Sequence, residues 1–369
     1  MNVDTTKLRN VTQKDDHLLL DISGTACRFH YLWLRDNSPE RRSTNGQRLH
    51  ESNSIDPKIR PDSISHCTDE LTIVWSDGTK SAYPLDFLVS SAYDPPPGQA
   101  DRRIAWNSEI ADRVRRHDYD AVRADPAALK AWLKDAECYG FGLLKHVPPI
   151  EGKIIDTVAL FGHVRETNYG RLFDVRAEEN PDNLAYTPAP LSVHTDNPYR
   201  HPCPTLQLLH CLVQADQGGL TALADGFYAA EKLRREAPEA FTLLTGNDVL
   251  FHYESDDAIL ENHGKIISLD ASGRPVTIRM NNRSLAPLRL DFDLTLPFYQ
   301  ALFEFRAILE NEKSQFRLRL QSGDLVVLDN ERVLHGRIGH SVGHRHLQGC
   351  YADRDGLVST LRVLERNGV

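Results

Sequence analysis

The sequence predicts a mostly β protein with flanking helices, in which a small β-rich N-terminal domain precedes a larger domain of jelly-roll type. Short apolar runs bounded by turn residues recur along the chain, among them His17-Leu18-Leu19-Leu20, Leu71-Thr72-Ile73-Val74-Trp75 and Leu325-Val326-Val327-Leu328. The stretch Arg345-His346-Leu347-Gln348-Gly349-Cys350-Tyr351 alternates as a strand does, placing Arg345, Leu347, Gly349 and Tyr351 on one face. The run Asp94-Pro95-Pro96-Pro97-Gly98 can continue neither a helix nor a central strand. These features divide the chain into a domain over 1–93, a linker over 94–105 and a larger domain over 106–369.

Within the larger domain, Asp125-Pro126 reads as an N-cap followed by proline at the first helical position, and Leu129, Trp132, Leu133 and Ala136 form an i, i+3, i+4, i+7 face. A second helix is expected over 295–311, where Leu296, Phe298, Leu302, Phe305 and Leu309 recur at roughly helical spacing. No repeat or low-complexity tract interrupts this order.

At 369 residues, the chain is long enough for one large and one small core. Its 40% apolar and 26% charged content is ordinary for a globular protein, and a formal net charge of −9 offers no attraction for nucleic acid or an anionic membrane. A small molecule is the expected partner. The start has no apolar signal core, and no apolar run approaches the roughly 18 residues that span a bilayer, so a cytoplasmic location is expected. The six cysteines are scattered without close pairs and read as buried thiols.

The chemistry is concentrated in His194-Thr195-Asp196, answered far downstream by His335 and then Arg345. If residues 194 and 196 lie in a strand, they project to the same side and can chelate one ion, while Thr195 points away. His335 follows the apolar run 325–328 and supplies a third ligand. Two histidines and one carboxylate suit ferrous iron, because three protein ligands leave three positions open. Arg345 can hold a carboxylate through two parallel hydrogen bonds, which suggests a 2-oxo acid co-substrate.

With these residues in place, the chain resembles the Fe(II)- and 2-oxoglutarate-dependent oxygenases of the taurine-dioxygenase superfamily, in its γ-butyrobetaine dioxygenase-like branch. The shared stretches are Trp33-Leu34-Arg35-Asp36-Asn37, Asn183-Leu184-Ala185-Tyr186, His194-Thr195-Asp196-Asn197-Pro198, Gly218-Gly219-Leu220-Thr221 and Asp225-Gly226-Phe227. They continue with Asn281-Asn282-Arg283, Asp329-Asn330, Leu334-His335-Gly336-Arg337 and Gly349-Cys350-Tyr351-Ala352-Asp353. The resemblance implies a double-stranded β-helix, Fe(II) on His194, Asp196 and His335, and 2-oxoglutarate and O2 as co-substrates. It also implies Arg345 on the distal carboxylate with Thr221 as helper, and a homodimer.

For the substrate, the resemblance places Tyr169, Phe173, Tyr186 and Tyr351 in an aromatic cage for a quaternary ammonium group, with Phe173 where some relatives have Trp. Aromatic faces suit such a cation because it cannot donate a hydrogen bond. Asn183, Asn281 and Asn282 offer amide donors for an anionic end, and Arg279 and Arg283 flank the asparagine pair with positive charge. The expected activity is hydroxylation of a small trimethylammonium zwitterion, leaning to 2-(trimethylammonio)ethylphosphonate next to phosphorus, with γ-butyrobetaine hydroxylation to L-carnitine as the alternative. Retention of Asp196 points to hydroxylation rather than halogenation. A non-catalytic jelly-roll binding protein is the rival from another class, and a zinc hydrolase is a further one, although no His-Glu-x-x-His pattern is present.

The chain departs from its branch in one place. Relatives often carry a structural zinc site after the Trp-Leu-Arg-Asp-Asn stretch, and the corresponding residues here are read as Ser38, Glu40, Ser43 and, later, Thr79. Hydroxyls stay protonated at neutral pH and are poor zinc ligands, so no structural zinc is expected.

Overall fold

A computed structural model describes residues 6–94, 101–176 and 189–369. The chain falls into two compact units, Met1–Asp101 and Arg102–Val369. In the first, β1 (Leu8–Gln13), β2 (His17–Ile22) and β3 (Thr25–His30) form an antiparallel meander. The β2–β3 turn is the two residues Ser23 and Gly24, both at positive φ (53° and 90°), which matches the right-handed twist of the flanking strands. A second meander joins β4 (Pro61–His66), β5 (Glu70–Trp75) and β6 (Lys80–Pro84). Alternate residues, Leu18 and Leu20 from β2 and Leu71, Ile73 and Trp75 from β5, meet Phe29 in one core.

Of the positions read as former zinc ligands, Ser38 and Glu40 are hydrogen-bonded to each other. Buried Ser38 donates to Glu40 (2.6 Å) and bonds Ser81 (2.8 Å), whose hydroxyl also accepts from the Trp75 indole (2.9 Å). Ser81, not Thr79, is thus the later hydroxyl that Ser38 contacts. The Thr79 hydroxyl is spent locally on Asp77, and that of Ser43 on Asn45. Ser81 is buried within β6, whereas Thr79 precedes the strand and is half-buried.

The second unit contributes β7 (Arg116–Asp118), β8 (Phe141–Lys145), β9 (Val164–Arg165), β10 (Phe173–Arg176), β11 (Leu191–His194), β12 (Leu206–Val213) and β13 (Leu220–Asp225). After these come β14 (Val249–Ser255), β15 (Ala258–Gly264), β16 (Ile267–Leu269), β17 (Pro275–Ile278), β18 (Gln315–Leu318), β19 (Leu325–Asp329), β20 (Val333–Ile338) and β21 (His346–Ala352). Among the described residues, a large sheet runs β10-β21-β12-β19-β8-β7, with β9 also on β21, and a smaller one runs β11-β20-β13-β18. The two share an apolar core in which Leu143, Leu209, Val326 and Leu347 from the large sheet meet Leu223, Phe316, Leu318 and Val333 from the small one. This layering is consistent with a jelly roll.

Helices cover both outer faces. Helix Pro126–Tyr139 begins at the expected N-cap, where Asp125 accepts from Ala127 N, and it buries Trp132, Leu133 and Ala136 against the large sheet with helix Arg354–Arg366. The small sheet is covered by Gly226–Glu236, Pro238–Gly246 and Phe292–Glu310. That last helix begins three residues before the expected start of 295, and Pro297, its sixth residue, leaves the carbonyl of Asp293 without its i+4 N–H partner. No helix among the described residues is long and apolar enough to cross a membrane.

The short link between β19 and β20 ties the two layers together. Arg332 and Asp225 form an ion pair (2.8 Å) with side chains 1% and 0% exposed, and the guanidinium also donates to Cys138 O (2.9 Å) and Ile104 O (2.6 Å). Asp225 accepts the backbone N–H of Trp106 and of Phe227 (3.0 Å each), the second capping helix Gly226–Glu236. Breaking one side of so enclosed a pair strands the other charge, so Arg332→Ala is expected to destabilise the second unit by about 3–5 kcal/mol in urea unfolding followed by tryptophan fluorescence.

Candidate metal and co-substrate site

His194 is the last residue of β11 and pairs in register with His335 of β20. Between the Leu191–Arg337 and His194–His335 pairs, β11 has one more residue than β20, a bulge that re-aims the end of the strand toward the interior. Gly336 lets the two strands approach: a Cβ there would lie 2.5 Å from Leu191 O and 2.9 Å from Val193 N. As a result, the imidazole centroids lie 4.5 Å apart.

Asp196 reaches the site by a different route from the one its spacing suggests. The strand stops at His194, so residues 194 and 196 are not alternate positions of one strand. Thr195 is turned away, donating its N–H to Met280 O (3.0 Å) and accepting Met280 N–H on its hydroxyl (3.1 Å). Asn330 then clamps Asp196 by its backbone, with Oδ1 accepting Asp196 N–H (2.7 Å) and Nδ2 donating to Asp196 O (2.9 Å). Asn197 follows at φ 53° and turns the chain away. This brings Asp196 Oδ1 to 3.3 Å from His194 Nε2, and one ligand atom from each of His194, Asp196 and His335 lies within 4.8 Å of the others.

The donor set fits a divalent metal ion. His194 Nδ1 hydrogen-bonds Ser192 O (2.9 Å), which leaves Nε2 as the free lone pair, the usual second contact of a ligating histidine. Burial, reinforced by His194, pushes His335 down to about 3, so its imidazole is neutral, and Nδ1 is buried without a protein partner among the described residues. Burial alone would raise the Asp196 carboxyl, but the His194 contact, the electrostatics of the two nearby imidazoles and a hydrogen bond from Tyr351 hold it well below the carboxylate range. Its second oxygen, Oδ2, accepts from Gln207 Nε2 (2.6 Å) and Tyr351 Oη (2.9 Å).

The triad opens into a cavity of about 600 Å³. Thr221 and Arg337, register partners on β13 and β20, line it together with Arg345 and Leu347. Burial lowers the Arg345 guanidinium and, with Arg345 nearby, takes Arg337 down to about 10, so Arg337 remains a cation at neutral pH. Arg337 also donates to Ala189 O (2.9 Å). It is a cavity residue that the sequence reading did not single out, although it sits in the Leu334-His335-Gly336-Arg337 match.

The other walls are aromatic. Phe173 stacks on Tyr351 (centroids 5.0 Å) and lies over Gly349, where a Cβ would come within 2.3 Å of the ring. Tyr169 bonds the Tyr199 hydroxyl (2.9 Å), and Tyr253 stacks on Tyr199 (4.9 Å) and meets Tyr169 edge-on (5.9 Å). Tyr199 and Tyr253 were not anticipated; Tyr199 stands three residues after Asp196, close to a motif already recognised.

The expected anion-binding residues are placed differently from one another. Arg283 lines the cavity. So does Asn281, but its amide is committed to Thr195 O (2.9 Å) and its Oδ1 to Arg283 N (3.2 Å), which makes it a brace for the loop. Asn282 borders a small separate void behind His194, with Arg306 and Met280. Arg279 does not line the cavity; it packs against Gly264 and donates to Ser268 (3.2 Å), because the chain leaving β17 turns between 279 and 283. Asn183 and Tyr186 lie outside the described residues.

Known proteins resemble this chain in sequence and fold. The family described as taurine catabolism dioxygenase TauD, TfdA matches residues 102–351, and a γ-butyrobetaine hydroxylase-like N-terminal domain matches residues 9–89. The chain is 36% identical to the γ-butyrobetaine dioxygenase of Pseudomonas sp. (strain AK-1), over 93% of this chain and 92% of that one. It is 33% identical to the mitochondrial trimethyllysine dioxygenase of Mus musculus, over 98% and 89%. Among solved structures, an asparagine oxygenase in complex with Fe(II), 3-hydroxyasparagine and succinate shares the fold at a TM-score of 0.50 and 17% identity, covering 69% of this chain and 92% of that one. The chain thus belongs to the TauD, TfdA dioxygenase family and is an iron(II)- and 2-oxoglutarate-dependent dioxygenase.

Proposed function

We propose that the protein hydroxylates a small trimethylammonium compound with an anionic far end. The observation that carries this reading is a single cavity lined by the His194, Asp196 and His335 triad, by Arg345 and by the aromatic side chains Tyr169, Phe173, Tyr199, Tyr253 and Tyr351. In this reading His194, Asp196 and His335 hold Fe(II). Iron bound there supplies oxidative decarboxylation of 2-oxoglutarate by O2, with one oxygen atom going to succinate and the other to a substrate C–H bond.

The protein's own residues bind and orient. Arg345, with Thr221 beside it, holds the distal carboxylate of 2-oxoglutarate, and Arg337 adds a second cation to that end of the cavity. Tyr351, in β21, lies six residues beyond Arg345, up to roughly 20 Å of extended chain, so an ammonium held against the Tyr351 ring stays clear of the Arg345 guanidinium. Fixing both ends of the substrate presents one C–H bond to the open face of the metal.

The chemistry of the anionic end separates two substrates. The 36% identical bacterial γ-butyrobetaine dioxygenase favours a carboxylate. A phosphonate such as 2-(trimethylammonio)ethylphosphonate draws its support from the guanidinium of Arg283, which lines the cavity as Arg279 does not. Anaerobic protein with Fe(II) and 2-oxoglutarate, exposed to oxygen with a panel of trimethylammonium acids, is expected to release succinate and hydroxylated product in equal amounts with at least one of them. Turnover of the carboxylate alone removes the phosphonate reading, and turnover of neither removes the quaternary-ammonium reading. In the same assay, Arg345→Lys is expected to raise the 2-oxoglutarate concentration needed for half-maximal rate by about tenfold or more, because a lysine cannot form the paired contact.

A further inference from the structure

Tyr351 belongs to two structures at once. Its ring stacks on Phe173 at 5.0 Å, and its hydroxyl donates to Asp196 Oδ2 at 2.9 Å. A carboxylate oxygen can only accept, so the phenol acts as the donor here. Gln207 is the register partner of Tyr351 across β12 and β21, and its amide donates to the same oxygen at 2.6 Å. The two donors occupy Oδ2 and leave Oδ1 on the side of His194 Nε2, at 3.3 Å.

We propose that Tyr351 and Gln207 are positioning residues that restrict Asp196 to one-oxygen ligation of the metal. A carboxylate with both oxygens free can chelate an ion through two. On a six-coordinate ion with two histidines, that would leave two open positions where a keto acid and oxygen together need three. Holding Oδ2 from outside keeps the third position open. Because the same tyrosine ring faces the cavity, the aromatic wall and the metal ligand move as one unit. Asn330 fixes the backbone of Asp196, and the Tyr351–Gln207 pair fixes its carboxylate rotation.

This inference rests on the reading that the triad holds iron, and the test keeps the two apart. The full chain and its Tyr351→Phe and Gln207→Leu variants are titrated anaerobically with Co(II) in competition with Fe(II). The visible charge-transfer absorption of the Fe(II)·2-oxoglutarate protein is recorded, and the melting of the metal-free chains is compared. Tyr351→Phe keeps the ring and removes only the donor. Each variant is expected to lose about 10- to 100-fold in metal affinity and to show a shifted charge-transfer band, while the metal-free melting temperature stays at the wild-type value. Wild-type affinity and an unshifted band in both variants overturn the positioning role. A wild-type chain that binds neither metal overturns the iron reading itself. If one variant does not fold, the other decides, since each removes a separate donor.

Discussion

The site depends on the double hydrogen bond between the side chain of Asn330 and the backbone of Asp196. It joins the end of β11 to the link before β20, and those two pieces of chain carry the whole triad. Asn330 makes a further bond to Pro204 O, and its neighbours extend the tie: Asp329 pairs with Arg354 of the C-terminal helix, and Arg332 with Asp225 at the end of β13. Three of the four residues 329–332 therefore connect the metal site to the large sheet, the small sheet and a covering helix. A buried polar network is worth having only when every member is satisfied, and each of these side chains is hydrogen-bonded.

The charge around the cavity follows from what has to enter it. Three guanidiniums, on Arg283, Arg337 and Arg345, face two carboxylates, on Asp196 and Glu254, before any divalent ion is added. Such an excess of positive charge draws in a dianion like 2-oxoglutarate and disfavours a simple cation. In the proposed reading, a quaternary ammonium is held in the aromatic cluster by ring faces instead of counter-charges. The neutral imidazole of His335 fits the same logic, since a protonated ring could not bind a metal.

Much of this was legible in the sequence because motif residues kept their chemistry even where their geometry differed. His194, Asp196 and His335 converge, and Arg345, Thr221, Tyr169, Phe173, Tyr351, Asn281 and Arg283 line the cavity. The alternation argument for His194 and Asp196 reached the right pair for the wrong reason: Asp196 lies past the strand end and is steered by Asn330. Gln207 escaped notice because its role exists only through space, across β12 and β21. Arg279 and Arg283 look alike in sequence, yet a turn of four residues sends one toward Ser268 and the other to the cavity. Helix Phe292–Glu310 was offset at its start because the apolar spacing begins at Leu296, while the first turn buries nothing and Phe292 is exposed.

Gly336 sets the gauge of the metal site by what it lacks. With carbonyl and amide atoms of β11 pressed against its missing Cβ, even one methyl group would wedge the two strands apart, and each carries a histidine. The distance across which an ion must be bridged is thus written into the backbone, independently of the ligands themselves. A variant could preserve every coordinating side chain and still lose its grip on iron through a substitution that touches none of them.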